Sequence, residues 1–289
     1  MSDKSIEKLI EEHHHSGKYI HVNGLKTFLL DYGEGEPILC IHGVPTSSFL
    51  FRKVLRSSES KGYRGIAIDL PGLGFTDRPE EFDYSFNNLS MFLAEAVKEL
   101  GLEKFHLVVH DIGGPIGFAL AARNKEKILS LTILNTWIDV TKFKKPLPMR
   151  PFEKPVLGEA QLALLNHLTW PVMMNTLGVE DKDAISKEET NVYVDMLKMV
   201  DDGKAFLKIM RSFDDSEEFR DLCYKAVQNV PYPIQAIWGD EDPALDYDRY
   251  GEEIKNVAGL EQVLKVKARH FLQEEKWEEL ALRIDELIR

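Results

Sequence analysis

Leu107-Val108-Val109-His110-Asp111-Ile112-Gly113-Gly114-Pro115-Ile116-Gly117 is the stretch on which the reading of this chain turns. An apolar run stops on His-Asp, two glycines follow, and a helix-compatible segment from Phe118 to Arg123 takes over. The order is strand, tight turn and helix, with Asp111 at the apex and Val109 and Gly113 in the two positions reserved for smaller residues. A turn of this kind is strained and lifts its apical side chain clear of the sheet. A lone acid after a strand is commonly a helix cap. The glycine pair and the flanking His110 favour a nucleophile instead.

Outward from the elbow, the chain repeats short apolar runs that read as strands covered on both faces: Pro37-Ile-Leu-Cys-Ile-His, Gly65-Ile-Ala-Ile-Asp, Phe105-His-Leu-Val-Val and Leu129-Ser-Leu-Thr-Ile-Leu-Asn. Helical stretches at Phe49 to Ser60, Phe86 to Leu100 and Pro115 to Asn124 alternate with them, which predicts a parallel, doubly wound α/β sheet. Ahead of these, Tyr19-Ile-His-Val and Lys26 to Tyr32 flank Asn23-Gly24, a hairpin signal. From about Asp139 to Val230 no buried strand is found, only Pro-punctuated helical segments such as Glu159 to Leu168 and Glu188 to Val200. Strands resume with Pro233-Ile-Gln-Ala-Ile-Trp and Glu261-Gln-Val-Leu-Lys-Val, and a helix closes the chain from Gln273 to Ile288. The sheet needs these later strands, so the expected organisation is a core of residues 1–138 and 231–289 interrupted by a helical cap, 139–230.

The 289 residues are 44% apolar and carry a net charge of -12, enough to bury a core and opposed to nucleic acid or an anionic membrane as partner. No apolar run nears the ~20 residues of a membrane-spanning helix. Met1-Ser-Asp-Lys-Ser-Ile-Glu lacks the basic and apolar regions of a secretory leader. Cys40 and Cys223 make no disulfide framework. A cytoplasmic protein, monomer or homodimer, is expected. His13-His14-His15 reads as a solvated run or an artificial appendage, and no metal is assigned to it.

In open α/β sheets, ligands sit beyond the carboxyl ends of the strands. Four polar signals fall there. His42-Gly43-Val44-Pro45-Thr46 follows Ile41, where glycine lets the backbone turn close to a ligand and the Val44 amide can face a developing negative charge. Asp111 is the second. Trp238-Gly-Asp-Glu-Asp242-Pro243 is the third, in which Asp242 is chosen as the acid that orients a histidine. His270 is the fourth, after the last strand. The order nucleophile, acid, histidine is that of the α/β-hydrolases.

The chain resembles the haloalkane dehalogenase and epoxide hydrolase branch of that superfamily, in His42 to Arg52, Asp69-Leu-Pro-Gly-Leu-Gly-Phe-Thr-Asp77-Arg-Pro79, His110 to Gly114 and His270-Phe-Leu-Gln-Glu274. The resemblance implies the α/β-hydrolase fold, with an eight-stranded sheet and a helical cap. An Asp nucleophile is suited to an sp3 carbon: it displaces halide or opens an epoxide, giving an alkyl-enzyme ester. His270, held by Asp242, then activates the water that hydrolyses the ester, and the Val44 and Ile112 amides stabilise the oxyanion. No cofactor is required. The expected partner is a small, mostly apolar substrate.

Two departures stand out. Haloalkane dehalogenases usually carry Trp after the nucleophile and a polar residue after His-Gly, both donors to the halide; here these are Ile112 and Val44. Trp170 in the cap is a replacement donor or an apolar lining. Epoxide hydrolases use cap acids, usually two tyrosines, for which Tyr193 with His167 is a partial match. The expected pocket residues are therefore His42, Trp170, His167 and Tyr193.

Overall fold

The computed structural model describes residues 5–289; residues 1–4, where the stretch read for a leader begins, lie outside it. Eight strands form one sheet in the order β1-β2-β4-β3-β5-β6-β7-β8: β1 Gly17–Val22, β2 Leu25–Tyr32, β3 Pro37–Ile41, β4 Arg64–Ile68, β5 Phe105–His110, β6 Ile128–Leu134, β7 Ile234–Gly239 and β8 Leu264–Val266. β1, β2 and β4 pair antiparallel, and every other neighbour is parallel. Asn23 and Gly24 close the hairpin with positive φ at both positions, 50° and 83°, the geometry a two-residue turn demands. β3, β5 and β6 are buried along nearly their whole length, as continuous apolar runs require when helices cover both faces.

The helices are α1 Ile6–His15, α2 Arg52–Ser60, α3 Phe86–Glu99, α4 Gly113–Arg123, α5 Leu157–Leu164, α6 Trp170–Met173, α7 Lys187–Lys198, α8 Lys204–Arg211, α9 Glu217–Lys225, α10 Glu252–Ala258, α11 Leu272–Glu275 and α12 Trp277–Ile288. α2 packs on α12, while α3, α4 and α9 pack together. The closing helix expected from Gln273 is broken at Lys276, whose backbone leaves helical geometry (φ -127°, ψ 29°). The segment expected to be helical to Leu168 stops at Leu164.

Between β6 and β7 the chain forms helices and turns with no strand. The last of these helices, α9, packs on α4, and the Cys223 thiol lies 3.7 Å from the Pro115 carbonyl. A parallel crossover needs such a helix on the sheet face, so within the 139–230 block α9 serves the crossover rather than roofing the strand ends. Arg78 ties the rest to the core: its guanidinium is almost fully buried and donates to the Leu197 and Met196 carbonyls and to Asp201.

The reading of His13 to His15 as solvated holds for His15, which is exposed, and is corrected for His13. α1 packs on the core, and His13 is 4% exposed, with its ring against Phe28, Phe49 and Phe75 and its Nε2 at 3.3 Å from Ser48 Oγ. Burial, then the nearby Arg52 charge, lowers its pKa to about 3, so it sits in the core as a neutral ring.

Candidate active site

β5 ends on His110, and the chain turns at once through Asp111, whose φ is 54°. That left-handed conformation is uncommon for a residue with a Cβ. Contacts on all sides hold it: the Asp111 amide donates to the Asn135 carbonyl at 3.0 Å, and its carbonyl accepts from the Thr136 hydroxyl at 2.6 Å and from the Gly114 amide at 2.9 Å. The glycines are explained by crowding. A Cβ on Gly113 would lie 2.4 Å from the Ile41 carbonyl oxygen, and one on Gly43 would lie 2.2 Å from the Asp111 carboxylate.

The loop after β3 passes over this carboxylate, and the Val44 amide donates to Asp111 Oδ1 at 2.9 Å. Ile112 begins α4 and lines the same cavity; among the described residues its amide has no other acceptor. On the opposite side, His270 Nε2 stands 3.6 Å from Asp111 Oδ2 while its Nδ1 lies 2.8 Å from Asp242 Oδ2. The structure therefore brings Asp111, His270 and Asp242 into one chain of contacts from the ends of β5, β7 and β8.

Electrostatics follow from that geometry. Burial alone would lower the pKa of His270, but the Asp242 charge and the close contacts with both carboxylates outweigh it and raise the value to about 10. Burial disfavours ionised Asp111 as well, yet the His270 bond and charge, with the Val44 amide, hold its carboxyl below the usual range. Asp242 behaves likewise, through His270, Asn135 and the Leu245 amide. In the resting site one imidazolium lies between two carboxylates.

Two neighbours complete these surroundings: Asn135, missed at the sequence level, and His110, read there only as flanking the elbow. Asn135, at the end of β6, donates to Asp242 Oδ2 at 2.6 Å and accepts from the Gly239 amide at 2.8 Å. It thus links the elbow to the acid loop, and a lone amide ending an apolar strand at this edge of the sheet was the available signal. His110 donates from Nε2 to the His270 carbonyl at 2.9 Å. Its Nδ1 is buried with no partner among the described residues. Burial and the nearby His270 charge hold His110 neutral, with a pKa of about 3.

Asp111 and His270 open into a cavity walled by Val44, Ile112, Trp137, Phe143, Lys145, four methionines (Met149, Met173, Met174, Met210), Trp170, Phe213 and Phe271. Of the pocket residues expected from sequence, only Trp170 is there, and its indole N–H donates to the Thr190 carbonyl at 2.9 Å. Trp170 is apolar lining rather than a free donor. His42 is fully buried beneath the site and accepts the Leu70 amide at 3.0 Å. His167 is on the surface, paired with Asp195 at 2.6 Å. Tyr193 donates its hydroxyl to the buried Glu274 carboxylate, which also holds Arg52 at 2.5 Å and Lys53 at 2.8 Å. The hydrogen bond to this buried acid holds the Tyr193 hydroxyl away from the cavity. The residue that sequence reasoning overlooked is Trp137, just past β6; it stacks on Phe143 at 3.6 Å, and its N–H has no partner among the described residues.

An elbow-borne acid with a histidine and a second acid on an eight-stranded, mostly parallel sheet defines the class of protein, and comparison agrees. Residues 36–276 match the alpha/beta hydrolase fold family, and the chain belongs to it. It is an enzyme of that family, with haloalkane dehalogenases among its relatives. It is 29% identical over 259 residues to haloalkane dehalogenase 1 of Mycobacterium bovis, covering 86% of this chain and 82% of that one. It is 37% identical over 134 residues to a cis-3-alkyl-4-alkyloxetan-2-one decarboxylase of Shewanella oneidensis, a match spanning 45% of this chain and only 42% of that enzyme. Among solved structures, an epoxide hydrolase of Vigna radiata superposes with a TM-score of 0.77 at 23% identity, covering 94% of this chain and 97% of that one.

Proposed function

We propose that this hydrolase cleaves a small, mostly apolar substrate through an alkyl-enzyme ester on Asp111, in the manner of haloalkane dehalogenases. The observation that carries the reading is the Asp111 carboxylate itself. One oxygen is held by the Val44 amide at 2.9 Å, the other lies 3.6 Å from His270, and both belong to an ionised group facing an apolar cavity. A carboxylate gains little by attacking an acyl carbon, because it is itself a better leaving group than the alkoxide of the ester attacked, so the addition reverses. At an sp3 carbon it displaces the leaving group and forms a stable ester.

The second step follows from the charges. Resting His270 is an imidazolium and cannot accept a proton. Alkylation neutralises Asp111 and so removes one of the two anions that raise the His270 pKa. With its pKa lowered the ring releases its proton to solvent, and the neutral imidazole then takes a proton from the water that attacks the ester carbonyl, with Asp242 stabilising the imidazolium that re-forms. The Val44 and Ile112 amides are assigned to the tetrahedral oxyanion, where one donor contributes ~2.7–4 kcal/mol.

The leaving group is the part of the family pattern that changes. Ile112 and Val44 carry no side-chain donor and Trp170 has spent its N–H, so the donor assigned to a departing halide is Trp137. The cap acids by which epoxide hydrolases protonate the opening ring have no counterpart here in Tyr193 or His167, which lie away from the cavity. A parallel screen of bromoalkanes, epoxides, β-lactones and simple esters, run with wild type and Asp111→Asn, tests the reading. Bromoalkane turnover abolished by the substitution supports it; ester turnover retained by Asp111→Asn overturns it.

A further inference from the structure

We propose that the outer face of the helical insert, within residues 142–172, docks on an anionic lipid surface. Ten large apolar side chains are exposed among the described residues, and eight of them lie in the insert. Val156, Leu157, Leu164 and Leu168 are 77%, 55%, 61% and 81% exposed. Leu157 and Leu164 share one face of α5, separated by two helical turns, and the exposed Ala160 lies between them. An exposed apolar surface of this density marks an interface. The same segments wall the cavity from inside: Met149 and Met173 line it, while Leu147 and Val172 close by in sequence stand in solvent at 73% and 61% exposure.

Charge selects the occupant. The chain as a whole is strongly acidic, yet residues 142–157 hold Lys142, Lys144, Lys145, Arg150 and Lys154 against one acid, Glu153. Lys142 pairs with Asp139 and Lys145 with Glu153, and Asp214 and Asp215 share a surface cleft with Lys144 and Arg150. Glu159, on α5, is taken by Arg211. Lys154 has no acidic partner among the described residues. Exposed leucines and valines beside a local excess of lysine and arginine suit the headgroup boundary of an anionic bilayer. A second copy of this chain fits less well, because a two-fold contact would set the basic segment against itself.

Co-sedimentation with vesicles tests the proposal without any substrate, so its outcome is independent of the hydrolytic mechanism. Wild type is mixed with vesicles of phosphatidylcholine alone and of phosphatidylcholine with phosphatidylglycerol. The expected result is binding to the mixed vesicles only, weakened by added salt. Lys154→Glu and Leu157→Glu/Leu164→Glu, none of which lines the cavity and which are checked for native circular dichroism, are expected to bind at least roughly tenfold more weakly. Three results would overturn the proposal: no binding of wild type to mixed vesicles at low salt, binding indifferent to phosphatidylglycerol and to Lys154→Glu, or a dimer in light scattering that Leu157→Glu/Leu164→Glu dissolves.

Discussion

Replacing Asp242 by Asn should separate the two chemical steps. The His270 pKa is raised from 6.5 to about 10 despite burial, and at about 1.4 kcal/mol per unit the imidazolium is favoured by about 5 kcal/mol. The Asp242 charge is the largest of the groups that raise it, and once Asp111 is esterified it is the only anion among the described residues left in contact with the ring. Asn at 242 keeps the shape of the contact but removes that charge. It also frees the histidine to adopt the wrong tautomer, which in a serine-protease triad costs about 10⁴ in rate. Losing even half of the electrostatic support slows ester hydrolysis by roughly 10²-fold, since 1.36 kcal/mol is a factor of ten. Displacement needs only the ionised Asp111 and should change far less. Rapid quench with a bromoalkane that wild type turns over would then show a stoichiometric burst of bromide, delayed alcohol, and a mass increase on the protein. Bromide and alcohol slowed equally, with no adduct, would refute the assignment of Asp242 to the hydrolytic step.

Two further outcomes are expected. Trp137→Phe keeps the stack on Phe143 but deletes the N–H, so bromoalkane kcat/KM should fall by roughly 10- to 100-fold, the 1.5–3 kcal/mol of a hydrogen bond to a charged group; unchanged kcat/KM would remove Trp137 from the leaving-group site. Stability should fall on acidification before ordinary carboxylates titrate. His13, His42 and His110 have pKa values lowered to about 3, 4 and 3, so below 6.5 the unfolded chain takes up protons that the folded chain refuses. Between pH 7.5 and 5.5 this costs about 4 kcal/mol in total. The largest shifts acting the other way belong to His270, whose raised pKa gives a contribution complete only below 6.5, and to Asp69, raised to about 6 by burial. Together they offset about half, leaving a net loss of about 2 kcal/mol. Urea midpoints at the two pH values measure it, and a midpoint that rises on acidification would contradict the sign.

What was legible in the sequence was local. The sheet could be read because buried strands write themselves as short apolar runs bounded by glycine or a polar residue. The elbow could be read because crowding against the Ile41 carbonyl demands Gly113. Asp111, Asp242 and His270 were legible as a set because each terminates a strand at the same edge of the sheet. The cavity wall was not legible in this way. The insert has no strand register to set alternate faces, so the direction of each side chain is decided by partners far along the chain. Glu274 draws Tyr193 inward, Asp195 keeps His167 at the surface, and Thr190 occupies the indole of Trp170. His42 sits at a strand end, as expected of a site residue, but its ring turns under the loop to the Leu70 amide. Asn135 and Trp137 escaped notice since each is a single polar or aromatic residue after a strand, with no motif around it.

The claim on which the rest stands is the ester on Asp111. A single turnover in heavy-oxygen water, with enzyme in excess over a bromoalkane substrate, tests it directly. Water attacking the ester carbonyl must leave a heavy oxygen in the Asp111 carboxylate, while the first alcohol released carries the light oxygen of the enzyme. Mass spectrometry of the peptide spanning Asp111 and of the alcohol should show that pattern. Label in the alcohol with none in the peptide would mean that water attacks the substrate directly, and the covalent account would fall.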